Sequence, residues 1–271
     1  MKLLIDAGNT RIKWALTDGS SWLRNGVLPV KQASELTQQF AGLEDIRQVW
    51  VSNVAGENVA QCIRGIRAGQ FHFIVAQQAQ CGVRNGYSTP SQLGSDRWAA
   101  LIAAWHLVRG ACLIVNSGTA MTVDALSATG EFVGGLILPG VELMQRSLYD
   151  ATVQLSPAQG TYAAFPLNTA DALFSGAIQA SCGAIERQHA LLGGSGIPVV
   201  LSGGASAILQ THLQPVVCGA SRAWENVQCD HSRTIELHST LSWPHLNLPL
   251  QVVDNLVLQG LQLIAQEADT P

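Results

Sequence analysis

Leu4-Ile5-Asp6-Ala7-Gly8-Asn9-Thr10 and, 110 residues further on, Ile114-Val115-Asn116-Ser117-Gly118-Thr119-Ala120 carry one pattern twice. Each is an apolar run ending in a polar residue, then a small residue, a glycine and a polar turn. After each turn the chain resumes as a second alternating run, and Ala15-Leu16 falls on Ala125-Leu126 at the same offset. Short apolar runs bounded by turn residues read as strands, and two of them across a tight Gly turn read as a hairpin. Two hairpins in one register imply a duplicated α/β domain, with the halves expected at 1–112 and 113–271. No Pro/Ser-rich linker separates them, so the halves are expected to share a cleft.

Working outward, further strands are expected at 48–53, 71–75, 132–138 and 198–202. Helices are expected at 33–40, 57–68, 96–106, 141–147, 168–192 and 254–267. The clearest is 96–106, where Trp98, Leu101, Ile102 and Trp105 recur at i, i+3, i+4 and i+7 and Ser95 stands as a natural N-cap. The segment 211–249 has scattered His, Trp and Pro and no period.

Composition narrows the class. The 271 residues are 47% hydrophobic and 13% charged with a net charge of −4, ample for buried cores and unlike a disordered chain. There is no basic cluster, so nucleic acid is not expected as a partner. The apolar part of the opening is too short for a signal peptide. The most apolar long stretch, 98–115, contains His106 and Arg109 and reads as a buried helix followed by a strand, not a membrane span. The six cysteines form no C-x-x-C pair and the seven histidines show no metal spacing, as expected for reduced thiols in a cytoplasmic protein.

The turn residues carry the chemistry. In Asp6-Ala7-Gly8-Asn9-Thr10 the glycine lets backbone amides approach a ligand, Asn and Thr can bond phosphate oxygens, and Lys13 can add charge. Asp6, at a strand end, could hold Mg²⁺ directly or through water. Alone, the motif equally suits an ordinary Asx-Gly hairpin, and no Walker-type G-x-x-x-x-G-K-[ST] is present. Paired with Asn116-Ser117-Gly118-Thr119-Ala120 it could clamp a polyphosphate from both sides. Ser202-Gly203-Gly204 follows a strand and precedes a helix, which suits either a nucleoside contact or a plain turn. Gly94-Ser95-Asp96-Arg97 opens the clear helix. It offers a carboxylate to accept an alcohol proton and a cation beside it, or else a capping Asp with a surface Arg.

These motifs together resemble the type III pantothenate kinases, also called the Bvg accessory factor family. Asp6-Ala7-Gly8-Asn9-Thr10 with Ile12-Lys13-Trp14 is similar to the family's first phosphate motif, and Gly94-Ser95-Asp96-Arg97 to its G-x-D-R motif. Gly118-Thr119-Ala120-x-Thr122-x-Asp124 is similar to its second phosphate motif, and 134–140 to its G-G-x-I-x-P-G segment. Asn168-Thr169 with Ser175-Gly176, and 255–261, resemble its later helices. The motifs stand in the family's order over nearly the whole chain.

The resemblance implies two ribonuclease-H-like domains of the acetate-and-sugar-kinase/Hsp70/actin superfamily around an ATP cleft. It implies phosphorylation of the pantothenate hydroxyl to 4′-phosphopantothenate, the first step of coenzyme A synthesis. By matched position, Asp96 would be the general base. Tyr87, Gly94, Ser95, Asp96 and Arg97 would bind pantothenate, with Thr169 reaching it from the other subunit of a homodimer. Asp6, Ala7, Gly8, Asn9, Thr10, Arg11, Lys13, Gly118, Thr119 and Ala120 would hold ATP, with Mg²⁺ at Asp6. The family places an Asp, linked to K⁺ or NH₄⁺, where this chain has Asn116; an amide oxygen can ligate such a cation but brings no charge. Ser202 stands where the family often has Thr. The alternatives are a non-catalytic accessory protein of transcription on the same fold, or a kinase for another small alcohol.

Overall fold

In the computed structural model, residues 1–43, 45–152, 159–213 and 249–270 are described. The unreadable segment 211–249 lies almost wholly outside them, as do Cys218, Cys229, His231, His238 and His245. The chain forms two mixed sheets built to one plan. Strands β1 (Lys2–Ala7), β2 (Arg11–Thr17), β3 (Trp22–Pro29), β4 (Gln48–Asn53) and β5 (Gln70–Phe73) make the first sheet, in the order β3-β2-β1-β4-β5. The second contains β8 (Cys112–Ser117), β9 (Ala120–Leu126), β10 (Glu131–Pro139), β11 (Val199–Ser202) and β12 (Leu250–Val252), in the corresponding order β10-β9-β8-β11-β12. In both, the first three strands are antiparallel neighbours and the last two add in parallel. This is the duplication seen in the two hairpins, except that the second turn is one residue shorter: Ala15-Leu16 correspond in the ladders to Asp124-Ala125 and not to Ala125-Leu126.

Two short strands, β6 (Ala79–Gln80) and β7 (Val83–Asn85), extend the second sheet beyond β10. They precede residue 112, so the chain crosses to the second sheet before the expected boundary.

Alternation along the strands builds the layers, because successive side chains leave opposite faces. In β1, Leu3 and Ile5 face outward onto α1 (Leu36–Gln39) and α2 (Glu57–Arg64), while Leu4 faces inward. In β8, Leu113 and Val115 face outward onto α4 (Val141–Ala151), α5 (Thr169–Leu192) and α6 (Ser206–Leu213), while Cys112 and Ile114 face inward. Between the two inner faces lie α3 (Ser95–Val108) and α7 (Leu256–Glu267). Sheets covered on both faces explain the near-continuous apolar runs of β1 and β8.

Several expectations shift in detail. The helix expected at 33–40 is a 3₁₀ turn, Val30–Glu35, leading into the one-turn α1. Helix α2 stops at Arg64, before Gly65. The N-cap of α3 is Gly94, not Ser95; Ser95 is already helical, and its hydroxyl lies 2.9 Å from that of Ser52. Strand β3 gave no signal because it is a mostly exposed edge with Asn25-Gly26 inside it.

Candidate active site

The parity that puts Leu4 inside also puts Asp6 inside, at the carboxyl end of β1. Its neighbours across the ladders are Lys13 on β2 and Ser52 on β4. Ser52 meets Ser95 at the start of α3, and this contact brings the strand end and Asp96 to one place. Burial pushes the Asp6 carboxyl up to about 7; Lys13 opposes that shift and the nearby Asp96 adds to it. Asp96 is half-buried in the first turn of α3, between the sheets, and its Oδ1 accepts from the Arg97 amide at 2.8 Å.

The three glycine turns converge. The hydroxyls of Thr10 and Thr119, at the tips of the two hairpins, are 2.6 Å apart. Each hairpin is closed by its glycine amide: Gly8 donates to the Arg11 carbonyl and Gly118 to the Ala120 carbonyl, both at 3.0 Å. Gly203 has φ +101° and lies so close to β8 that a Cβ there would stand 2.3 Å from the Ser117 carbonyl oxygen; only glycine satisfies both demands. A Cβ on Gly204 would be 4.0 Å from the Arg11 guanidinium, so the third turn reaches the first. Gly140, ending the 134–140 segment, donates to the Thr119 carbonyl at 2.8 Å and props the second hairpin. Asn9, Thr10, Arg11, Gly118, Thr119 and Ala120 are exposed at these tips, Ala7 is buried behind them, and Lys13 and Asn116 are half-buried.

Arg97 is not a surface arginine. It is 4% exposed and forms an ion pair with Asp124, itself fully buried. Tyr87 joins it, accepting a bond from Nη1 at 3.0 Å. Burial pushes the Asp124 carboxyl up from its ordinary value, with Arg97 pulling the other way. Thr169 stands apart: it is exposed at the start of α5, and no contact among the described residues joins it to Asp96, Arg97 or Tyr87. Sequence reasoning missed Ser52 and left Asp124 as a motif letter. The signal for Ser52 was there, a polar residue at the carboxyl end of a central parallel strand, where α/β sheets gather ligands. Among the described residues, no three His, Cys, Asp or Glu side chains form a metal cluster, and no helix is long and apolar enough to cross a membrane.

Comparison with known proteins gives the family. Residues 2–190 match the family model described as type III pantothenate kinase. A type III pantothenate kinase of Nitrosospira multiformis is 45% identical over 271 residues, covering 98% of this chain and 91% of that protein. One from Aromatoleum aromaticum is 43% identical, covering 98% of both. Among solved structures, a Campylobacter jejuni protein described as a Baf family transcriptional activator superposes with TM-score 0.58 at 19% identity, covering 99% of this chain and all of that one. A Sinorhizobium meliloti protein described as a 2-dehydro-3-deoxygalactonokinase gives TM-score 0.56 at 14% identity, covering 100% and 97%. Those identities speak for the fold alone, the two-sheet α/β architecture described above, shared over nearly the whole chain. With the family model spanning most of the described core and close relatives spanning its length, the chain belongs to the type III pantothenate kinase family.

Proposed function

We propose that the protein transfers the γ-phosphoryl group of ATP to the pantothenate hydroxyl, giving 4′-phosphopantothenate for coenzyme A synthesis. The observation that carries the reading is the meeting of three elements at one point: two glycine hairpins touching through Thr10 and Thr119, and Asp96 on a helix wedged between their sheets. Lobes 1–112 and 113–271 close over the nucleotide, with the β6–β7 strands crossing between them.

Phosphoryl transfer asks a protein for positioning and charge neutralisation more than for covalent chemistry. The hairpin amides, Asn9, Thr10, Arg11, Lys13 and Thr119 hold the phosphates. Asp96 accepts the hydroxyl proton, while Tyr87, Gly94, Ser95 and Arg97 orient the acceptor. Asp6 fits Mg²⁺ as a single carboxylate, the number this ion takes when phosphates and waters complete its shell; when bound, Mg²⁺ neutralises developing phosphate charge. Asn116 offers a neutral amide oxygen, a donor for K⁺ or NH₄⁺ and a poor one for a divalent ion.

The active form is a homodimer. Val133, Ile137, Leu148 and Leu167 are 63%, 66%, 46% and 98% exposed, apolar side chains that a second copy would cover. Thr169 lies two residues from Leu167, placed to enter the other subunit's site. Both substrates are cytoplasmic metabolites, and the protein acts there. The retained Asp6, Asp96 and Arg97 favour an enzyme over an accessory protein. Incubating the purified protein with ATP, Mg²⁺ and a panel of alcohols tests this. Turnover with pantothenate alone is expected; turnover with another alcohol, or none, overturns the reading.

A further inference from the structure

We propose that Asp124 is a positioning residue for the acceptor substrate: it fixes the Arg97 guanidinium in one orientation, and the resulting ion pair, together with the β9 backbone, occupies the place a side chain at Gly135 would take. The proposal rests on the reading of this cleft as an acceptor site and adds to it a residue with no assigned part.

The geometry is specific. Arg97 Nε donates to both carboxylate oxygens of Asp124 at 3.2 Å, and Nη2 donates to Oδ1 at 2.5 Å. Nη1 donates to the Tyr87 hydroxyl at 3.0 Å. A guanidinium has five N–H groups, so these bonds leave two without a partner among the described residues, one each on Nη1 and Nη2. The rings of Tyr87 and Phe132 lie 5.8 and 5.6 Å from the guanidinium carbon and restrict it further. The two free donors therefore have a defined direction.

Asp124 is a rigid anchor, which arginine by itself is not. It lies in β9, bonded through the ladder to β8 on one side and β10 on the other. An arginine stem has four rotors, and holding it in advance leaves less order to be lost when a substrate binds. The residue opposite Asp124 on β10 is Gly135. A Cβ there would stand 2.1 Å from Asp124 Oδ1, 2.7 Å from the Val123 carbonyl oxygen and 3.0 Å from Arg97 Nη2, so a side chain would crowd both the carboxylate and the β9 backbone. The pair is neutral as a whole. It can recognise a carboxylate or amide oxygen by the direction of two N–H groups, and its contribution is to binding, not to the proton transfer at Asp96.

Asp124→Asn keeps the shape and one acceptor oxygen but loses the charge and the second acceptor. Assayed with ATP and pantothenate, it is expected to raise the KM for pantothenate at least about tenfold, with kcat and the KM for ATP held within about threefold. In an Arg97→Lys background the same substitution should add little, because the group it positions is gone. A purely structural Asp124 would lower the melting temperature and leave the KM for pantothenate where it was, and that result overturns the proposal. Arginine Nε–H NMR gives a readout independent of turnover. The wild type should show a slowly exchanging signal that is absent from Arg97→Lys and that exchanges at least about tenfold faster in Asp124→Asn, where one acceptor and the charge are gone; an unchanged exchange rate in Asp124→Asn would equally overturn the proposal. If the wild type left pantothenate untouched, the functional reading alone would fall and the NMR would still decide the positioning. Should Asp124→Asn not fold, Gly135→Ala, which displaces the carboxylate without removing it, carries the same two measurements.

Discussion

Asp6 is the residue whose state most depends on its surroundings. Its carboxyl, raised from 3.8 to about 7 by burial, keeps a proton in the folded protein that the unfolded chain has already released. Between those two values the native state therefore binds more protons, and stability falls as pH rises through the window, levelling off above about 7. This reverses the usual behaviour of a paired carboxylate. The ligand-free protein should melt at a lower temperature at pH 7.5 than at pH 5, and Asp6→Asn should remove that part of the slope, as scanning calorimetry across the range would show. The same ionisation links pH to nucleotide binding: Mg²⁺·ATP should bind more tightly as Asp6 loses its proton. Asp96 has a different task, and Asp96→Asn is expected to keep the fold while losing about 10²–10⁴ in kcat. A kcat near that of the wild type would remove it from the mechanism. Both carboxylates could be picked out from sequence because each sits at a strand end or helix start, where ligand chemistry gathers. The Arg97–Asp124 pair could not, since its partners are 27 residues apart and share no local signature.

At the scale of elements, α3 and α7 decide the centre of the molecule. Residues Arg97 to Ala104 of α3 are buried without interruption, which is why its sequence is apolar nearly all round and its period is weak. The helix was still legible from Trp98, Leu101, Ile102 and Trp105. Its first residue was misjudged, because Ser95 spends its hydroxyl on Ser52 and not on a cap. Gly260 is the point at which α7 meets α3: a Cβ there would fall 1.9 Å from the Ala99 carbonyl oxygen. Nothing in the local sequence marks that contact, since helix glycines have many causes. Gly260→Ala should force the helices apart and cost about 1–3 kcal/mol, read as a lower urea midpoint with the m-value unchanged. A neutral result would mean that the two helices can slide without loss.

At the scale of the whole molecule, the duplication was the most legible feature. The sheets share strand order and direction, and β1 and β8 begin and end at the same offset as the two motifs. What remained hidden was long-range exchange, with strands β6 and β7 joining the far sheet, and the exposure of apolar side chains such as Ile137. The proposed assembly makes a sharp prediction. Asp96→Asn and Thr169→Ala subunits, each inactive or nearly so alone, should regain about a quarter of wild-type activity when co-expressed in equal amounts, because half the dimers are mixed and each carries one intact site. No recovery would place Thr169 outside the neighbouring subunit's site.

Helix α7 follows β12 of the second sheet, yet it packs under β1 and β4 of the first, and the Lys2 ammonium donates to the Ala265 carbonyl at 2.9 Å across 263 positions of chain. The inner face of the first sheet, which α3 covers only in part, consequently stays incomplete while the intervening chain is being synthesised. On the ribosome, the amino-terminal half emerges first but cannot finish burying its own core. Its final collapse waits for a segment translated some 250 residues later, so the two lobes should become protease-resistant together and not in order of synthesis.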